Sequence, residues 1–230
     1  MTLLGGDLGR ETFKGSIINH LDTIFDLKNK NTLWSIGNHD KTSDDNFKKI
    51  TRKDKYHSYI KDNTTFITIN SQDSLSSIVG KQKDFLLDIL YKVNTKNIIV
   101  LSHKLIFMDQ HPVLDSEINQ ICNGGKGNCY YCHNTNNFQS EIYPELVKIK
   151  KSGKTLIWIG GDLGYKTSQF KYVDKNGIIF LGNGFWYKNR KNKVLLFSNK
   201  DSQIKYRFIS IDTLIKYQSN KFIDSLLRAD

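Results

Sequence analysis

The sequence predicts one α/β domain, residues 1–230, in which two packed mixed β-sheets are flanked by helices. Three observations favour this class. Short apolar runs alternate with amphipathic stretches over the first two thirds of the chain, patterns of strands and turns fill the last third, and the length suffices for one sizeable core.

The first two thirds of the chain follow an α/β rhythm. Apolar runs of strand length occur at 2–5, 32–36, 56–60, 64–70, 98–102 and 155–160. Helical spacing of apolar residues predicts helices over 11–28, 81–93 and 139–151, and in the first of these Ile17, Leu21 and Ile24 share one face. The polar residues between 36 and 56 are assigned to a loop.

The last third of the chain changes character. Strands are predicted over 169–173, 178–181, 193–197 and 203–211, and turns rich in Asp, Asn and Gly join them. A closing helix is predicted over 220–229 because Phe222, Ile223, Leu226 and Leu227 fall on one side of it. An antiparallel half is therefore expected to complete the domain.

Residues 109–137 form a predicted loop excursion of the kind that carries function, since they combine all three cysteines with three of the 16 glycines. Cys122, Cys129 and Cys132 with His133 can supply a Cys3His zinc site as a second metal centre, a disulfide that stabilises the loop, or thiols without a ligand. The segment from Cys129 to His133 also matches the short attachment pattern of c-type haem.

The composition bounds the partners only loosely. The 34 Lys and Arg against 23 Asp and Glu give a net charge of +11, which favours anionic partners, but lysine is spread along the whole chain. No apolar run of about 18 residues occurs, so no membrane span is expected. Localisation stays open, with the cytoplasm as default and export if a signal precedes Met1. The sequence carries no signal for an oligomeric state.

Polar side chains that can bind a metal follow the apolar strands of the first part. Asp7, Asn38 with His39, His103 and Asp162 each come directly after such a strand. Ligands gather at the carboxyl ends of strands in α/β sheets, so these side chains are expected to converge on a divalent cation. Taken singly, the carboxylates could be caps, Asn38 a turn residue and His103 a core histidine.

The motifs that carry these residues resemble the ordered signature of calcineurin-like metallophosphoesterases. They are Gly-Gly-Asp at 5–7, Gly-Asn-His-Asp at 37–40, Ser-His at 102–103 and a glycine-led motif at 160–164. The resemblance covers nearly the whole chain. It implies a four-layer sandwich, here lacking the strand that carries the family's opening Asp-x-His motif, which should precede Asp7.

The resemblance also implies roles for the matched residues. Asp7 would bridge two metals, and Asn38 and His103 would ligate the second of them. A metal-bound hydroxide would attack phosphorus, His39 would protonate the leaving oxygen or stabilise the transition state, and Asp40 would hold the tautomer of His39.

Two departures from the family pattern bear on the metal. The opening Asp-x-His motif is absent from this chain, and the closing Gly-His-x-His motif is replaced by Gly161-Asp162-Leu163-Gly164. Asp162 can still complete the second metal position, whereas Asp7 alone remains for the first. A carboxylate in place of a histidine favours Mn or Mg over Fe or Zn.

The sequence therefore predicts a metal-dependent hydrolase of phosphomonoesters or phosphodiesters, with a small phosphate ester as the favoured substrate. One alternative is a pseudophosphatase or binding module that retains a single metal site. The other is a nuclease, which the net charge and the breadth of the family favour but no separate motif supports.

Overall fold

The computed structural model describes residues 1–189 and 191–216, and the helix predicted over 220–229 lies outside this part. The strands are β1 Thr2–Leu4, β2 Thr32–Trp34, β3 His57–Lys61, β4 Thr64–Thr68, β5 Asn97–Ser102, β6 Thr155–Gly160, β7 Gln169–Val173, β8 Ile179–Asn183, β9 Lys193–Lys200 and β10 Gln203–Ser210. The α-helices are α1 Ile17–Phe25, α2 Asp44–Thr51, α3 Gly80–Lys92, α4 Ile118–Ile121, α5 Tyr143–Lys151 and α6 Ile211–Lys216.

A six-stranded mixed sheet forms the centre of the fold, with the strand order β3-β4-β5-β6-β8-β7. The inner strands β4, β5, β6 and β8 are parallel to their neighbours, and the two edge strands pair antiparallel. Every residue of β5 is buried, because both faces of a parallel sheet are covered. This explains why β5 and β6 contain continuous apolar runs rather than alternating ones.

The two faces of the central sheet pack against different layers. On one face Val100 and Trp158 share a core with Leu86 of α3 and Leu146 of α5. On the other face the aliphatic side chains of β5 and β6 pack against Leu3 of β1 and against the hairpin of β9 and β10. A third core lies between β1, β2, α1 and α2. The order helices, sheet, smaller sheets, helices is the predicted four-layer sandwich.

The layer of smaller sheets is divided in two. β1 pairs in parallel with β2, and β9 pairs antiparallel with β10, as two separate two-stranded sheets. A cavity of about 470 Å³ lies between β1 and β9, over a floor that includes Phe66, Ile99 and Leu101. Of the strands that the structure describes, none fills this gap.

Two local features differ from the sequence prediction. The segment assigned to a loop after residue 36 contains α2, which begins where Ser43 accepts a hydrogen bond from the Asn46 N–H at 3.2 Å and buries Phe47. The sequence does not predict α2, because a helix of eight residues with few apolar side chains shows no apolar periodicity. Helix α1 begins at Ile17 rather than near residue 11, two residues after Gly15, whose φ of 59° is not helical.

Candidate metal centre

Four strand ends bring the predicted ligands together. Asp7 follows β1, Asn38 follows β2, His103 follows β5 and Asp162 follows β6. Because β1 and β2 are parallel, as are β5 and β6, each pair presents its carboxyl ends at one edge. Gly37 is required for the approach, since a Cβ there would meet Oδ1 of Asp7 at 2.1 Å.

The potential ligand atoms form one compact group. Single donor atoms of Asp7, His103 and Asp162 all lie within 4.8 Å of one another. Oδ1 of Asn38 lies 3.2 Å from Nε2 of His103 and adds an amide oxygen to the group. Within residues 1–189 and 191–216, no other set of three His, Cys, Asp or Glu side chains comes as close together. Carboxylate, amide and imidazole together are a donor set that fits a divalent cation.

His103 is oriented for ligation by the backbone of β1. Its Nδ1 lies 2.7 Å from the carbonyl oxygen of Gly5, to which it donates, so Nε2 faces the carboxylates. Nε2 lies 3.4 Å from Oδ2 of Asp7 and 3.9 Å from Oδ1 of Asp162. Burial lowers the pKa of His103, but the charges of Asp7 and Asp162 outweigh it and raise the pKa to about 9.

Asp162 has a partner that the sequence prediction did not assign to this site. His133, from the excursion, places Nε2 at 3.1 Å from Oδ2 of Asp162, and both side chains are buried. Burial alone would raise the pKa of Asp162, but the hydrogen bond from His133 and the charge of His103 hold it below its ordinary value. His133 is therefore an outer partner of the candidate ligand Asp162.

Lys104 ties the excursion to the strand that carries His103. The lysine side chain is fully buried, and its Nζ donates to the carbonyl oxygens of Cys132 at 2.7 Å and Tyr130 at 3.2 Å. Burial lowers the pKa of Lys104, while the carboxylates of Asp162 and Asp7 oppose that shift. No pattern in the sequence distinguishes this lysine from the exposed ones.

The cysteines do not assemble the alternative metal site. Cys129 and Cys132 form a disulfide, while Cys122 is a free, buried thiol whose Sγ lies 3.6 Å from Sδ of Met108. Burial raises the pKa of Cys122 well above its ordinary value, which makes it a poor metal ligand. The structure therefore has a disulfide between Cys129 and Cys132 and a thiol without a ligand at Cys122.

His39 lies at the open side of the group. Its backbone N–H donates to Oδ1 of Asp7 at 2.7 Å, and its ring Nδ1 lies 2.9 Å from the carbonyl oxygen of Arg10. The half-buried ring is therefore fixed beside the ligands, with Nε2 as the nitrogen not engaged by Arg10.

Asp40 does not contact the imidazole of His39, contrary to the expected tautomer role. Its buried carboxylate accepts hydrogen bonds from Asp7 N at 2.7 Å, Gly37 N at 2.9 Å, Leu8 N and Trp34 Nε1 at 3.3 Å each, and the Thr12 hydroxyl. Burial raises the pKa of Asp40, and the hydrogen bonds from Thr12 and Gly37 oppose this. Asp40 therefore holds together the two loops that carry Asp7 and Asn38, because it accepts from backbone N–H groups of both.

Gly164 explains why the closing motif ends without a ligand. Its φ is 126°, and a Cβ there would meet the backbone of Phe185 at 2.4 Å. The fold at this position therefore excludes any side chain, including the histidine of the family pattern.

Comparison with known proteins identifies the architecture. No family model matches the sequence, and no curated protein matches it significantly. Among solved structures, a dimetal phosphatase from Danio rerio superposes with a TM-score of 0.55 at 10% identity, covering 90% of this chain and 80% of that one. This chain has the calcineurin-like metallophosphoesterase fold.

A second solved structure aligns with a lower score. A purple acid phosphatase from seeds of yellow lupin, Lupinus luteus, aligns at 12% identity with a TM-score of 0.42, over 77% of this chain and 38% of that one. The predicted fold class is confirmed, and the described residues contain no helix long and apolar enough to cross a membrane.

Proposed function

We propose that the chain is a metal-dependent hydrolase of phosphate esters, either monoesters or diesters. The observation that carries the proposal is the convergence of Asp7, Asn38, His103 and Asp162 at one edge of a metallophosphoesterase fold. The carboxylates of the half-buried Asp7 and the buried Asp162 both face His103 and raise its pKa, so the arrangement favours a positive charge between them, which a divalent cation would supply.

The metal centre is assigned to those four side chains. When bound, a divalent cation supplies Lewis-acid polarisation of the ester and activation of water. Two carboxylates and one amide oxygen make the set hard, which favours Mn or Mg over Zn. For a second cation, Asp7 is the one ligand that the described residues offer, since Gly164 has no side chain to contribute. We therefore propose one metal per chain.

His39 is the residue proposed to protonate the leaving oxygen. In its protonated form, Nδ1–H donates to the carbonyl oxygen of Arg10 and Nε2–H remains for the substrate. The contact between its backbone N–H and Asp7 keeps this ring at a fixed place beside the metal ligands. A role for Asp40 in this step is not part of the proposal, since that carboxylate is occupied by backbone donors.

Hydrolysis of p-nitrophenyl phosphate and bis-p-nitrophenyl phosphate by Mn-loaded and Mg-loaded protein tests the proposal. Replacement His39→Ala should lower kcat for phenyl phosphate, whose phenolate needs a proton on leaving, at least a hundredfold with unchanged metal content, because general acid catalysis contributes about 10²–10⁴ in rate. His20→Ala, at an exposed histidine of α1, is the matched control and should behave as the wild type. Equal turnover of phenyl phosphate by His39→Ala and wild type would refute the role of His39.

Metal analysis separates the enzyme from its rivals. Asp162→Ala should lose the metal, and wild-type protein should hold one equivalent. A protein that holds the metal but hydrolyses neither ester would be the pseudophosphatase or binding module. Turnover of single-stranded nucleic acid far above that of the small esters would favour the nuclease.

A further inference from the structure

A pair of tyrosines stands beside the open side of the metal centre. Tyr131, in the excursion, has its ring centroid 5.7 Å from that of His39, and 49% of its surface is exposed. Tyr130 packs edge-on against Tyr131 with the centroids 5.5 Å apart. Lys41, three residues after Asn38, places Nζ over the Tyr130 ring at 4.5 Å and over the Tyr131 ring at 5.9 Å.

The loop that holds these rings is restrained on every side. The Cys129–Cys132 disulfide brackets the two tyrosines, and Lys104 holds the carbonyl oxygens of Tyr130 and Cys132 from below. Next along the chain, His133 is anchored to Asp162 at 3.1 Å. An exposed aromatic ring that is already fixed loses little conformational freedom when a ligand packs on it.

The position of Tyr131 is not explained by core packing. About half of the ring faces solvent, whereas the core aromatic side chains such as Phe107 and Phe138 are fully buried. The ring of Tyr131 instead contacts that of His39, the residue proposed to protonate the leaving group. A leaving group that departs past His39 would pass the face or edge of Tyr131.

We propose that Tyr131 is a stacking platform for a planar aromatic group on the alcohol side of the ester, such as a nucleobase, and that Lys41 and Tyr130 hold the platform. This inference rests on the proposed phosphoesterase function and narrows its substrate class. Stacking of a base on an aromatic side chain contributes about 1–3 kcal/mol, so removing the ring should cost roughly tenfold in specificity.

Adenosine monophosphate and ribose phosphate, both esterified at the primary hydroxyl, form a matched pair of probes because they differ only in the base. For the Mn-loaded wild type, kcat/KM should be about tenfold higher for adenosine monophosphate. Tyr131→Ala should remove this preference, so that the ratio of the two kcat/KM values falls to about one, and Tyr131→Phe should keep the preference. Tyr91→Ala, at an exposed tyrosine on α3, is the control and should not alter it.

Titration calorimetry of the same Mn-loaded proteins with both probes keeps the two proposals distinct. Turnover of both probes with no preference, or a preference that survives in Tyr131→Ala, would overturn the platform while the hydrolase stands. Tighter binding of adenosine monophosphate that depends on Tyr131, without any turnover, would support the platform and overturn the hydrolase. Binding of neither probe would overturn the platform.

Discussion

His133 and Asp162 meet in the interior through a hydrogen bond of 3.1 Å between Nε2 and Oδ2. One residue follows the disulfide of the excursion, and the other follows strand β6 of the central sheet. The hydrogen bond to His133 orients the carboxylate of Asp162 so that its Oδ1 faces His103. Oδ1 lies 3.9 Å from Nε2 of His103. The metal centre and the excursion are therefore one structural unit, and their variants should behave alike.

The variant His133→Ala should bind Mn 10- to 100-fold more weakly than the wild type, because the outer partners of metal ligands contribute about that factor to affinity. Competition with a fluorescent chelator measures the dissociation constant. His20→Ala, at an exposed histidine of α1, is the control. An unchanged Mn affinity in a folded His133→Ala protein would show that the contact with Asp162 does not serve the metal.

The disulfide should be detectable by counting thiols. Denatured but unreduced protein should show one reactive thiol, that of Cys122, and three after reduction. The double variant Cys129→Ser with Cys132→Ser should lose about 2 kcal/mol or less of unfolding free energy in urea, since the loop it closes is very short.

The same double variant should lose much more in Mn affinity than in stability, because His133 follows Cys132 directly. Three thiols in the unreduced wild type would contradict the disulfide itself. A Mn affinity of the double variant equal to that of the wild type would show that the disulfide does not position His133.

The sequence was sufficient for the parts of the fold that repeat a local pattern. Continuous apolar runs marked β5 and β6, and the polar residues at their ends marked His103 and Asp162, because the rule that ligands lie at strand ends depends on topology alone. The same reasoning could not place His133. Its neighbours in sequence are cysteines, and its neighbour in space is 29 residues away.

Asp40 shows a second limit of sequence reasoning. A carboxylate next to a histidine is expected to pair with it, but chain direction places the side chain of Asp40 toward the amides of Asp7 and Gly37 instead. Lys104 is a similar case, since burial of a lysine depends on three acceptors from distant segments. The contacts of Asp40 and Lys104 depend on the conformations of the loops, which cannot be inferred from the spacing of apolar residues.

The variant Asp40→Asn tests the corrected role of this carboxylate. The amide nitrogen of asparagine cannot accept a hydrogen bond. In one orientation of the amide the N–H groups of Asp7 and Gly37 lose their acceptor, and in the other the Leu8 N–H loses it, at a cost of about 1–3 kcal/mol. Urea unfolding measures the loss, with Asp88→Asn on the surface of α3 as the control. A loss no larger than that of Asp88→Asn would show that these donors do not depend on the carboxylate of Asp40.

The stability of the protein should depend on pH through His57, at the start of edge strand β3. Burial, more than the other influences, lowers the pKa of His57 from 6.5 to about 4, and its Nε2 is buried without a hydrogen-bond partner in the described structure. Between these two pH values the unfolded chain binds a proton that the folded chain does not. This contribution to the free energy of unfolding is therefore complete above pH 6.5 and is lost as the pH falls toward about 4.

The loss assigned to His57 should reach at most about 3 kcal/mol, and partial exposure of the ring reduces it. Because glutamine does not titrate, the difference in unfolding free energy between the wild type and His57→Gln should change over this pH range and stay constant above it. Urea unfolding at several pH values measures the difference, and His20→Gln at an exposed site should leave the pH dependence as in the wild type. Parallel curves for the wild type and His57→Gln would show that the ring is protonated as readily in the folded chain as in the unfolded one, and would contradict a pKa lowered by burial.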